Sequence, residues 1–143
     1  MNDIFKINTF LKAILDPKNI QDIAINGIQV ENEGQIKKIA FVVDASIQSI
    51  EKAYQTGANL IIAHHGIFWG GSNPITGNHY QRIRLLLNYN MGLIAYHLPL
   101  DSHEIYGNNI QILKNPFVSG PYCSKAVYAA RSSDIHDRYR RPA

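Results

Sequence analysis

The sequence predicts an α/β fold in which βαβαβ units build a mainly parallel sheet. Three observations predict it. Apolar runs at residues 39–43, 60–63 and 91–96 have the length and composition of buried strands. Segments with helical spacing lie between them, giving the order strand, helix, strand, helix, strand. Two consecutive units of this kind favour a parallel sheet with right-handed crossovers.

The elements follow in chain order. Ile4, Ile7, Phe10, Leu11, Ile14 and Leu15 recur at helical spacing after Asp3, a residue suited to a helix start, and Pro17 follows where such a helix must stop. This predicts an amphipathic helix over residues 4–15. Asn26-Gly27 is a turn signal, and Ile28-Gln29-Val30 is a short strand candidate. The run Ile39-Ala40-Phe41-Val42-Val43 reads as a strand buried on both faces, closed by Asp44. Ser46 is a good N-cap for a helix whose face carries Ile47, Ile50, Ala53 and Tyr54, and Gly57 sits where a C-terminal cap belongs. The run Leu60-Ile61-Ile62-Ala63 leads into His64-His65-Gly66, followed by a Gly- and Pro-containing loop. A helix over residues 79–90 is expected from Ile83, Leu86 and Leu87. The third run then leads into His97-Leu98-Pro99-Leu100-Asp101.

Composition narrows the function classes. The apolar fraction of 45% and charged fraction of 17% are those of a globular chain. No apolar run is long enough to span a bilayer, and the first residues lack the features of a signal peptide. The single cysteine, Cys123, fits a reducing compartment, so a cytoplasmic location is expected. The net charge of +3 resides wholly in the last part of the chain. Residues 1–114 hold nine basic and nine acidic side chains, whereas residues 115–143 hold five and two. The basic pI therefore gives little support for nucleic-acid binding by the folded body. In the tail Ile and Asn almost vanish while Ala and Arg dominate. Residues 1–114 accordingly read as the α/β domain. Residues 115–143 read as an atypical basic tail, disordered or non-native, with a solvated surface extension as the alternative.

In open parallel sheets, ligands bind outside the carboxyl ends of the strands. Here those ends carry Asp44, then His64 and His65, then His97 and Asp101. Imidazole and carboxylate together suit Zn, Fe, Mn or Ni. Neighbouring residues of a regular strand point to opposite faces. For His64 and His65 to share a site, the chain must bend at the strand end, which Gly66 would permit, or the two must serve different ions. An acid just before a helix is favourable dipole chemistry in its own right, so Asp44 is not placed among the ligands. His79 and His136 read as structural or irrelevant, His103 and Glu104 read as surface residues with support of the neighbouring Asp101 as the alternative, and Cys123 has no histidine partner. None of the motifs GxxxxGK[ST], GxGxxG, GxSxG or HExxH is present.

Several stretches carry a family resemblance: Asn26-Gly27-Ile28-Gln29-Val30, Val43-Asp44-Ala45-Ser46, Ala58-Asn59-Leu60-Ile61-Ile62-Ala63-His64-His65-Gly66-Ile67-Phe68-Trp69, His97-Leu98-Pro99-Leu100-Asp101-Ser102-His103, and Tyr106-Gly107-Asn108-Asn109. Together they resemble the Nif-three-like family, whose bacterial members bear the name GTP cyclohydrolase 1 type 2 homologue. The resemblance runs from residue 3 to about 114. It implies one lobe of a two-lobed α/β fold, toroidal hexamers of the chain with itself, and a site for two divalent metal ions. His64, His65 and Asp101 match its ligands, and His97 matches a position close to the metals. The family's remaining His and Glu ligands belong to a C-terminal part with no counterpart here, so the chain reads as truncated after the N-terminal half. The function implied is a metal-dependent hydrolase, with metal-activated water acting on a nucleotide-like or phosphorylated small molecule. The alternative is a non-catalytic metal-binding or assembly protein, or an inactive remnant.

Overall fold

A computed structural model describes residues 3–114, which fall into two compact units that divide after His97. The first unit is a four-stranded sheet with helices. Its elements are α1 (Asp3–Leu15), β1 (Gly27–Val30), β2 (Ile39–Asp44), α2 (Ile47–Gln55), β3 (Leu60–His65), α3 (Gly77–Asn88) and β4 (Gly92–Ala95). A short 3-10 turn, Pro17–Asn19, follows α1, where Pro17 was expected to end the helix. The strand order is β1-β4-β3-β2. Strands β2, β3 and β4 are parallel, with Ile39 opposite Leu60 and Leu60 opposite Gly92. Strand β1 runs antiparallel to β4, with Gly27 opposite Ala95. The mixed but mostly parallel α/β sheet agrees with the sequence reading.

Alternation along the strands sorts the two faces. Ile61, Ala63 and Leu93 share a core with Ile50 and Ala53 of α2 and Leu86 of α3. Outside it, Tyr54 and Tyr89 stack with ring centroids 3.9 Å apart. The opposite face of β4 belongs to α1: a Cβ on Gly92 would lie 2.7 Å from Cδ1 of Ile4, and the Tyr96 hydroxyl donates to Oδ1 of Asn8 at 2.9 Å. Asn8 is buried, whereas Phe10, expected on the apolar stripe, is 64% exposed. The stripe thus includes a polar residue because the phenol of Tyr96 needs an acceptor there.

The caps of α2 form as expected. Ser46 Oγ accepts from the Ser49 amide at 3.1 Å, and Gly57 takes φ +81°. Further expectations fail: Tyr54, expected on the apolar face of α2, is 51% exposed. Leu87 was placed on the buried face of the second helix but is exposed, because Ile83 and Leu86 face the core and the next position turns outward. Strand β2 was expected to be buried on both faces, yet Phe41 is 75% and Val43 64% exposed. It is an edge strand, and only the side bearing Ala40 and Val42 meets the core.

The second unit holds α4 (Leu98–Asp101) and α5 (Asn108–Lys114) among the described residues. Between them, His103 Nδ1 accepts from the amides of Ile105 and Tyr106 at 3.1 and 3.0 Å, a local structural role that the sequence reading of a surface residue does not include. The expectations for the basic tail, Cys123 and His136 included, fall outside the described residues. Among those described, no helix is long and apolar enough to cross a membrane.

Burial pushes the Tyr96 phenol from 10.0 up to about 12. The folded state therefore favours the neutral phenol, so its contribution is complete below pH 10 and is lost as pH rises from 10 to 12. Urea denaturation should show about 2 kcal/mol more alkaline loss by pH 12 in the parent than in Tyr96→Phe. At neutral pH the variant should be less stable by about 1 kcal/mol, since Asn8 loses its donor.

Candidate metal centre

The carboxyl ends of the three parallel strands deliver the site. Strand β3 ends on His64 and His65, and His97 lies two residues beyond the end of β4. The ring centroids of His64 and His65 are 4.4 Å apart. His97 lies 5.1 Å from the first and 5.4 Å from the second. One ligand nitrogen from each ring lies within 4.8 Å of the others, and all three residues are half-buried.

Each imidazole is held through Nδ1. His64 Nδ1 lies 3.2 Å from the Tyr96 carbonyl oxygen, so this nitrogen carries the proton and donates. His65 Nδ1 is 2.7 Å from Oδ1 of Asp44. His97 Nδ1 is 3.1 and 3.2 Å from the two carboxylate oxygens of Asp22. An acceptor at Nδ1 fixes the tautomer that presents Nε2 as a lone-pair donor, the arrangement typical of metal-ligating histidines. At a metal–nitrogen distance of about 2.0–2.1 Å, two nitrogens on one ion stand roughly 3–4 Å apart. Three ligand nitrogens that all lie within 4.8 Å of one another come near that spacing. The three histidines can therefore hold a metal ion.

Asp22 is the residue that sequence reasoning missed. Its side chain is only 3% exposed, and it accepts from the Ala24 amide at 2.9 Å and from Nδ2 of Asn26 at 3.0 Å. Asn26 in turn accepts from the His97 amide at 2.8 Å through Oδ1. The turn signal at Asn26-Gly27 was legible, but not that this turn reaches His97, 71 residues away.

A second support comes from β1. The register slips between Ile28 and Val30, which leaves Gln29 as the extra residue of a bulge. Gln29 Oε1 accepts from the Ile67 and Phe68 amides at 2.7 and 3.3 Å, pinning the segment after the histidines. This revises the role of Gly66. It does not adopt a left-handed conformation, and β3 runs unbroken through His65. Gly66 is small because a Cβ would overlap the Gln29 side-chain amide. Trp69 completes the surround, its ring centroid 5.0 Å from that of His97 and 5.9 Å from that of His65.

Asp101, expected among the ligands, ends α4 in the second unit, where its Oδ1 accepts from Nδ2 of Asn108 at 2.9 Å. Asp44, left outside the ligand set, is 67% exposed and orients His65.

The Duf34/NIF3 (NGG1p interacting factor 3) family profile matches residues 3–115. Among curated relatives, the GTP cyclohydrolase 1 type 2 homolog of Treponema pallidum is 51% identical over 89 residues, which are 62% of this chain and 31% of that protein. The protein of the same name from Archaeoglobus fulgidus is 42% identical over 112 residues, covering 78% of this chain and 46% of its own. Among solved structures, TTHA1606 from Thermus thermophilus is similar at 37% identity and a TM-score of 0.72, over 76% of this chain and 46% of that one. The chain thus spans less than half the length of these relatives. It belongs to the Duf34/NIF3 family.

Replacing Asp22 by Ala leaves the Ala24 amide, Asn26 and His97 without their shared acceptor. Urea denaturation should show a loss of about 1–3 kcal/mol. Nitrogen-15 spectra should show the His97 ring mixing tautomers, while His65, held by Asp44, keeps its own.

Proposed function

We propose that this member of the Duf34/NIF3 family binds divalent metal, two ions of Zn, Fe, Mn or Ni, through His64, His65, His97 and Asp101. The reading extends to a metal-dependent hydrolase of a nucleotide-like or phosphorylated small molecule. The observation that carries it is the trio of imidazoles, each fixed at Nδ1 by a carboxylate or carbonyl and grouped within 4.8 Å. Asp101 joins the set on the family resemblance. Two adjacent histidines and a carboxylate able to bridge are a donor set suited to two ions, and imidazole with carboxylate favours the transition metals over Ca or Mg. Such ions supply Lewis-acid polarisation and bring the pKa of water toward neutrality. The protein's own part is to set the tautomers: Asp22 and Asp44 keep the protons of His97 and His65 on Nδ1. Self-assembly into a ring belongs to the same reading and rests on the resemblance, while a cytoplasmic location rests on the single cysteine.

A second reading, metal binding or assembly without turnover, is favoured by one observation. The matched part is 31–46% of the relatives named above, so groups contributed by the rest of such proteins lie outside it.

Elemental analysis of the purified chain decides first. About two ions per chain, falling to one or fewer in Asp101→Ala and in His65→Ala, is the expected result. Asp22→Asn should bind metal about 10–100-fold more weakly by competition with a chromophoric chelator. Less than half an ion in the parent, unchanged in the variants, would sink the metal reading. Bound metal without hydrolysis across a panel of phosphate esters would favour the second reading.

A further inference from the structure

Beside the imidazoles lies an open cleft of about 410 Å³, which His65 and Trp69 line together with Asp44, Ser46 and Arg82. Its volume falls within the range of small-molecule sites. Arg82 comes from α3 and has no part in the metal reading. The helix carries two arginines, and they are treated differently. The Arg84 guanidinium lies 5.9 Å from the centroid of the Tyr80 ring, an ordinary surface contact. The Nε of Arg82 is buried and has no hydrogen-bond partner among the described residues, and no carboxylate there pairs with its guanidinium. A desolvated cationic N–H without an acceptor is costly, and native proteins keep few of them. A guanidinium presents a planar fork that matches phosphate and carboxylate oxygens, so its natural complement is an oxyanion.

The remainder of the cleft fits the same occupant. Trp69 offers a flat apolar wall next to the His65 and His97 rings. The cleft's acid, Asp44, has Oδ1 engaged by His65 at 2.7 Å. Ser46 marks the amino end of the nine-residue helix α2, whose dipole adds positive potential to that already supplied by Arg82.

We infer that this cleft binds an anionic small molecule, its phosphate or carboxylate oxygens on Arg82 and its body against Trp69, next to the histidine cluster. The identification of that molecule as the substrate rests on the metal-hydrolase reading above; the binding itself does not.

Trp69 is the single tryptophan of the chain, so its emission reports the cleft directly. The full chain, treated with chelator, is titrated with inorganic phosphate and separately with acetate, with chloride holding ionic strength constant. A saturable change in emission with phosphate is expected. Binding should be about tenfold weaker in Arg82→Gln, with part of the loss restored in Arg82→Lys. Saturation by acetate and not by phosphate would assign the oxyanion to a carboxylate. Circular dichroism checks that each variant keeps the parent's fold. If Arg82→Gln fails to fold, Arg82→Lys carries the test, with roughly threefold or greater weakening expected. No saturable response to either anion, or equal binding by parent and folded variants, would overturn the inference. Metal content is measured on the same preparations before the chelator is added. A parent without metal that still binds phosphate through Arg82 would overturn the hydrolase reading alone, and metal retained with anion binding indifferent to Arg82 would overturn this one alone.

Discussion

The antiparallel pairing of β1 with β4 is the constraint on which the candidate site depends. Gly27 stands opposite Ala95, so the amino end of β1 lies beside the carboxyl end of β4. The loop before β1 is thereby brought to the sheet edge where the parallel strands release their histidines. The hydrogen bonds that hold His97 come through this loop: the Asp22 carboxylate on the ring and the Asn26 amide oxygen on the backbone. The bulge at Gln29 is part of the same device. One extra residue frees a side chain from the alternation of the strand and turns it onto the Ile67 and Phe68 amides. A sheet made wholly of parallel strands would bring no loop of this kind to that edge.

The two carboxylates that orient histidines do so under different conditions. The Asp22 side chain is shielded from water, with three groups converging on it, whereas Asp44 is largely solvated and makes one short contact. A shielded carboxylate is tolerated only when its lone pairs are met, and the amides of Ala24 and Asn26 meet them. Asp22 therefore ties ring position to the integrity of a loop, while Asp44 acts on one ring. His97 is held by architecture and His65 by a single contact.

The same sheet edge joins three kinds of chemistry within a small space: imidazoles fixed for coordination, an indole wall, and a guanidinium from α3. Helix α3 can supply that guanidinium because it returns along the face where α2 packs, anchored by Leu86 in the shared core. The crossover that builds the sheet thus also delivers a cation to the cleft beside His65.

Much of this was legible in the sequence because its signals are local. The apolar runs of β3 and β4, the Ser46 cap, the Gly57 turn and the pairing of His64-His65 with His97 at strand ends each depend on a few neighbouring residues. So does the resemblance that the family match bears out. What depends on long-range placement was not legible. The sequence could not reveal that residues 39–43 form an edge strand with Phe41 and Val43 exposed, because an apolar run looks the same at the centre of a sheet and at its rim. Nor could it mark Asn8 as buried, Gly66 as room for Gln29, or Asp22 as the partner of His97. Each is decided by a side chain tens of residues away, and hydrophobic periodicity carries no information about which distant polar groups will meet. The sequence determined which elements form and where their chemistry-bearing ends lie; the direction of β1 and the packing of α1 and α3, which only the assembled sheet can set, decided which residues hold that chemistry in place.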